Sequence, residues 1–168
     1  MKNIVNQHII ILNEIENIPL ELASTLHNFF NNGGDLVLIP SENINLQSYN
    51  NFLQKLQIGT MQPKVTNEHL ITSINFSHPI NTNVFEKKIT NFQYPKSAFF
   101  YPTNINNSSA IISFDNGQPF IASTQQQLSS FYCVASPLNK ATTNFSQTPL
   151  IVPILYNIAK NSFNVGQL

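Results

Sequence analysis

Two short apolar runs, separated by an amphipathic stretch and a double glycine, constrain this chain more than any other feature. His8 to Asn13 is an apolar run bounded by polar residues, the pattern of a strand buried on both faces of a parallel sheet. Pro19 then opens a helical pattern in which Leu22, Leu26, Phe29 and Phe30 share one face, and Gly33-Gly34 closes it. Leu36 to Ile39 reads as a second buried strand. After a loop from Pro40 to Asn43, the spacing of Leu46, Tyr49, Phe52, Leu53 and Leu56 predicts a second helix that ends before Gly59. Two such units in succession imply parallel strands joined by right-handed crossovers.

The second half has a different character. Glu68 to Phe76 reads as a strand or extended arm, and the Pro-punctuated stretch from Ser77 to Pro95 as an ordered loop with little regular structure. Ala110 to Phe114 and Phe120 to Ser123 flank Asp115-Asn116-Gly117-Gln118, and Asn-Gly predicts a hairpin closed by a type I′ turn. Phe131 to Ala135 is another apolar strand, and Pro149 to Ser162 a final helix whose stripe of Leu150, Ile151, Ile154, Leu155 and Ile158 should cover the sheet. The expectation is one α/β domain over residues 1–168, with a mixed, mostly parallel sheet and an antiparallel hairpin near 110–124. About seven residues precede the first strand, where a doubly wound sheet often has another unit, so a fragment of a longer protein is expected.

Composition removes several classes of function. The eight cations are all lysines and balance eight Asp plus Glu, so no field concentrates nucleic acid or anionic lipid. Without arginine, the planar fork that usually grips phosphate is missing. The single cysteine, Cys133, excludes an internal disulfide framework and a multi-thiolate zinc site. The apolar runs at Ile9 to Leu12 and Leu36 to Pro40 fall far short of the ~20 residues that a membrane span needs. The first seven residues lack the apolar core and cleavage site of a secretory signal.

Candidate chemistry is sparse. Glu14 and Glu16 after the first strand, and Ser41 and Glu42 after the second, fall at carboxyl ends of parallel strands, where α/β domains bind ligands. Glu14, Ser41 and Glu42 are therefore the candidate ligand-binding residues. Ser41 stands where a nucleophile elbow would be, but no glycine flanks it. Cys133 lies within the apolar strand Phe131-Tyr132-Cys133-Val134-Ala135, which favours a buried thiol. His8, His27, His69 and His78 have no metal-ligand spacing, and Gly33-Gly34 follows a helix where a phosphate loop would precede one. No metal and no cofactor are expected. The aromatic stretch Phe85 to Pro95 offers Phe92 and Tyr94 as a candidate interaction surface. A hydrolase using Ser41 or Cys133 with His78 as base is the alternative, and a structural module pairing through an exposed sheet edge is a third.

The run from Pro19 to Phe29-Phe30-Asn31-Asn32-Gly33-Gly34-Asp35-Leu36-Val37-Leu38-Ile39-Pro40 resembles class I glutamine-amidotransferase-like domains, in which a helix ends in a double glycine and feeds the next strand. Further segments are Ile11-Leu12-Asn13-Glu14-Ile15, Ser48 to Leu53, His78-Pro79-Ile80, Val84 to Lys87, Asn91 to Pro95 and Pro149 to Ala159. Together they are similar to the region after the membrane segments in aerotolerance-type (BatA-domain) membrane proteins of the Bacteroidetes. The resemblance implies a three-layer, flavodoxin-like sandwich on the periplasmic face of the inner membrane, within an anchored parent. It also implies partners among the parent's other domains or envelope proteins, with a homodimer possible. Relative to active amidotransferases, the elbow carries Ser41 in place of cysteine, and no His is followed two residues later by Glu. No catalytic residue carries over, and a non-catalytic binding or scaffolding role is expected.

Overall fold

A computed structural model describes residues 4–84 and 93–164. Strand β1 (Ile9–Ile15) leads through helix α1 (Leu20–Asn31) to β2 (Asp35–Pro40), and helix α2 (Leu46–Lys55) leads to the short β3 (Gly59–Met61). Then come β4 (His69–Ile74), β5 (Lys96–Ser97), β6 (Thr103–Ile105), β7 (Ser109–Phe114), β8 (Pro119–Gln126), β9 (Ser129–Val134) and helix α3 (Ile151–Asn164). Seven strands form one sheet in the order β1-β2-β9-β8-β7-β4-β5, and β3 pairs with β6 in a small antiparallel sheet.

Period-two alternation sorts the sheet's side chains between two cores. Leu36 and Leu38 of β2 and Phe131 and Cys133 of β9 face α1 and α2, packing with Leu26, Phe29, Phe30, Tyr49, Phe52 and Leu53. Their neighbours Val37, Ile39, Tyr132 and Val134 face α3, with Ile154, Ile158, Phe145 and Leu150. Helices on both faces of the sheet give the expected α/β layering. Each fully buried Phe or Leu contributes about 2 kcal/mol by leaving water, so the two cores carry most of the favourable energy.

The parallel part is narrower than the sequence suggested. Among the described residues only β1-β2 and β2-β9 pair in parallel, while β9-β8, β8-β7, β7-β4 and β4-β5 are antiparallel. Strand direction is set by the connection, and β7, β8 and β9 are joined by tight hairpins that force reversal. The β7-β8 hairpin is present, but its turn is not type I′. Gly117 has φ of 81°, whereas Asn116 is not in the left-handed region. Phe114 N–H donates to Gln118 O and Gly117 N–H to Phe114 O, the longer loop in which one glycine takes the left-handed position.

The double glycine performs two separate tasks. Gly33, at φ of 94°, turns the chain out of α1, while a Cβ on Gly34 would sit 2.2 Å from the Phe29 ring. Gly33 N–H and Gly34 N–H donate to Phe30 O and Phe29 O, satisfying carbonyls at the helix end. The chain then enters β2 directly at Asp35.

Candidate functional site

The connections that leave β2 and β9 go to opposite faces of the sheet, α2 to one and α3 to the other. In α/β folds that divergence opens a crevice at the carboxyl ends of the two strands, and ligands bind there. The sequence candidates Glu14, Ser41 and Glu42 all lie at this end.

Here the crevice is filled by the chain itself. Tyr101 N–H donates to Ala135 O, just past β9, at 2.7 Å, and its hydroxyl donates to Glu42 O, just past β2, at 2.6 Å. Tyr101 and Phe99 are buried, edge to face at 6.0 Å between centroids. Lys64 places its ammonium 4.6 Å over the Phe99 ring and also donates to Glu42 O. Tyr49 closes the neighbouring position, donating its buried hydroxyl to Ile15 O at the end of β1. Burial pushes both phenols above their ordinary range, which keeps them protonated hydrogen-bond donors.

Glu14 is structural. Its backbone has φ of 54°, and its carboxylate accepts Leu138 N–H, Asn139 N–H and the Asn139 side-chain amide, each at 3.0 Å. It ties β1 to the loop after β9. Ser41 is half-buried and Glu42 exposed, and Glu42 meets Tyr101 and Lys64 through its backbone carbonyl.

The structure does not assemble the alternative hydrolase. His78 is buried, and its Nδ1 accepts the Ile80 backbone N–H at 3.1 Å, which fixes the proton on Nε2. Nε2 lies 2.9 Å from the Ser123 hydroxyl, so the imidazole donates to that oxygen. An imidazole in this tautomer cannot take a proton from Ser123. Burial also pushes His78 below its ordinary range, favouring the neutral ring. Ser123 lies opposite Tyr132 on the α3 side, whereas Cys133 faces α1 and α2. The sheet separates His78 from the thiol, which burial pushes up to about 12.

Two features escaped sequence reading. Phe99 and Tyr101, from the run Phe99-Phe100-Tyr101, fill the crevice, and the density of aromatics there was the available signal. An open cavity of about 470 Å³ lies at the other end of the strands, beside the ends of α1 and α2 and the β8-β9 turn, lined by His27, Asn31, Lys55, Gln57, Gln126 and Gln127. Of the candidate interaction residues, Tyr94 is exposed and Phe92 lies outside the described residues. Among the described residues, no helix is long and apolar enough to cross a membrane.

These features define a three-layer α/β domain with a mixed sheet and a strand-end crevice filled by its own side chains, and comparison shows that the fold recurs. No family model and no curated protein matches the chain. A solved structure described as a cytoplasmic protein from Salmonella typhimurium superposes with a TM-score of 0.70 at 13% identity, over 94% of this chain and 72% of that one. A second cytoplasmic protein, from Salmonella typhimurium LT2, gives 0.64 at 11%, over 96% and 73%. A beta-galactosidase from Rahnella sp. R3 gives 0.64 at 12%, over 93% of this chain but 23% of its own. At such identities the likeness is one of fold alone.

Proposed function

We propose that this is a non-catalytic binding or scaffolding domain, which acts by contact with other parts of a larger assembly. The observation that carries this reading is the filled crevice. The place where such a fold would hold a substrate is occupied by Phe99 and Tyr101, bonded to the ends of both flanking strands. Beside it Glu14 holds a loop and Cys133 is a buried thiol, and on the other face of the sheet His78 carries its proton on the wrong nitrogen to serve as a base. The recurrence of the fold as 23% of a much longer glycosidase chain supports a modular role. We further read the fold as an amidotransferase-like, flavodoxin-like variant that has lost its chemistry. Its assignment to the periplasmic side of an inner-membrane protein rests on the sequence resemblance.

The purified domain should turn over neither glutamine, esters, peptides nor glycosides, and native Cys133 should resist a thiol reagent that labels it promptly in denaturant. Turnover abolished by Ser41→Ala, Ser123→Ala or Cys133→Ala would overturn the proposal.

A further inference from the structure

The sheet ends differently on its two sides. At one end is β5, two residues long and carrying Lys96, a short and charged edge of the kind that resists pairing. At the other is β1, seven residues long and opening with Ile9-Ile10-Ile11-Leu12, without Lys or Pro to discourage a further strand.

The backbone direction along β1 follows from its pairing. Asp35 N–H donates to His8 O, and Ile9 lies in register with Asp35. In a parallel ladder, alternate residues turn both main-chain groups to the same side, so His8, Ile10 and Leu12 face β2. Ile9, Ile11 and Asn13 present their N–H and C=O groups outward, where no hydrogen bond to them occurs among the described residues. Ile11 is 50% exposed, large for an apolar side chain in mid-strand.

We infer that β1 is an interaction edge and that its partner is a second copy of this chain, paired antiparallel about a twofold axis at Ile11. The inference rests on the contact reading above and names its partner. In that register Ile11 meets its own copy, Ile9 meets Asn13, and each pair exchanges both backbone hydrogen bonds. On the other face Ile10 meets Leu12, so apolar side chains oppose one another on both surfaces. The flanking ionisable residues, His8 and Glu14, fall opposite each other, and no like charges meet. The left-handed backbone at Glu14 ends the ladder on each side. A parallel partner or a shifted register loses this symmetry. The neutral net charge removes long-range repulsion between copies. A ladder this short falls below the roughly 1,000 Å² of a stable interface, so the dimer is weak and its population depends on concentration.

Sedimentation velocity on the full chain tests this. As the concentration rises from about 10 µM to about 1 mM, a range suited to a weak, transient interface, the mass should move from 18.9 kDa toward twice that value. Ile11→Lys should remain monomeric throughout, with an unchanged circular dichroism spectrum. Leu20→Lys, at an apolar residue 75% exposed but off the edge, should associate like the wild type. The Ile11 amide should exchange more slowly at high concentration. A wild type that stays monomeric at the highest concentration, or an Ile11→Lys variant that still dimerises, would overturn the inference. Either result leaves the non-catalytic reading untouched, because that reading is tested by turnover and by opening of the crevice and not by association.

Discussion

Tyr101→Ala should destabilise the domain by about 4 kcal/mol, and Tyr101→Phe by only about 1 kcal/mol. The large variant removes a buried ring that packs on Phe99 and leaves a cavity between the ends of β2 and β9. The small one removes a single hydroxyl from Glu42 O, which Lys64 still reaches at 3.0 Å, so no carbonyl is orphaned. For a domain of this size, 4 kcal/mol corresponds to a fall in Tm of about 10 °C. Urea denaturation of both variants checks the ratio as well as the size. Similar losses for the two would mean that the ring is peripheral and the hydroxyl dominates.

Asp35→Asn should gain on the wild type by about 2.5 kcal/mol as pH rises from 4 to 7.5. Asp35 is buried at the start of β2, where Oδ1 accepts the Ser130 N–H at 2.7 Å and Oδ2 has no hydrogen-bond partner among the described residues. Burial pushes its pKa from 3.8 up to about 6, and the Ser130 bond offsets this only in part. The folded state therefore holds this proton more tightly than the unfolded state. Its contribution to stability is fully present below pH 3.8 and is lost as pH rises through about 6. His78 acts in the opposite sense. Its pKa is lowered in the fold, so its contribution is present above 6.5 and is lost as pH falls below that value. Both curves contain the His78 effect, so the difference between variant and wild type across pH isolates Asp35. Whatever fixed cost the buried amide carries shifts that difference without changing its slope. A difference that stays flat from pH 4 to 7.5 would show that Asp35 ionises normally.

What the sequence made legible was periodic structure. β1, α1, β2 and α2 follow from apolar spacing and the Gly33-Gly34 pair, because these elements are specified within about a dozen residues of themselves. The β7-β8 hairpin was legible in place but not in turn type. Asp115 is held by His69 Nδ1 at 2.7 Å and by Leu70 N–H, partners on β4 far away in sequence. Such a contact can select a loop geometry that the Asn-Gly pair alone does not. The excess of antiparallel pairing was hidden for a related reason, since a short apolar run carries no record of its direction.

The candidate site was legible in location and not in state. Reading Glu14, Ser41 and Glu42 as residues at strand ends was correct as placement. That Glu14 is taken up by Leu138 and Asn139 depends on a loop more than a hundred residues later. The plug at Phe99 and Tyr101 is extended chain without periodicity, so its aromatics gave no pattern from which a position could be assigned. His78, the base of the alternative hydrolase, is held by Ser123 and Ile80 on the face of the sheet remote from Cys133, and its long-range partner, Ser123, has no local signal in the sequence.

The central claim is that Phe99 and Tyr101 are permanent parts of the core and not a lid over a working site. Hydrogen exchange at the Tyr101 amide, which donates to Ala135 O, tests it most directly when compared with the Leu38 amide in the middle of the sheet. The two amides should exchange only through global unfolding, with the same free energy and the same response to urea. Exchange at Tyr101 through a local opening several kcal/mol below the global value, with Leu38 still protected, would contradict the account and restore the crevice as a candidate site.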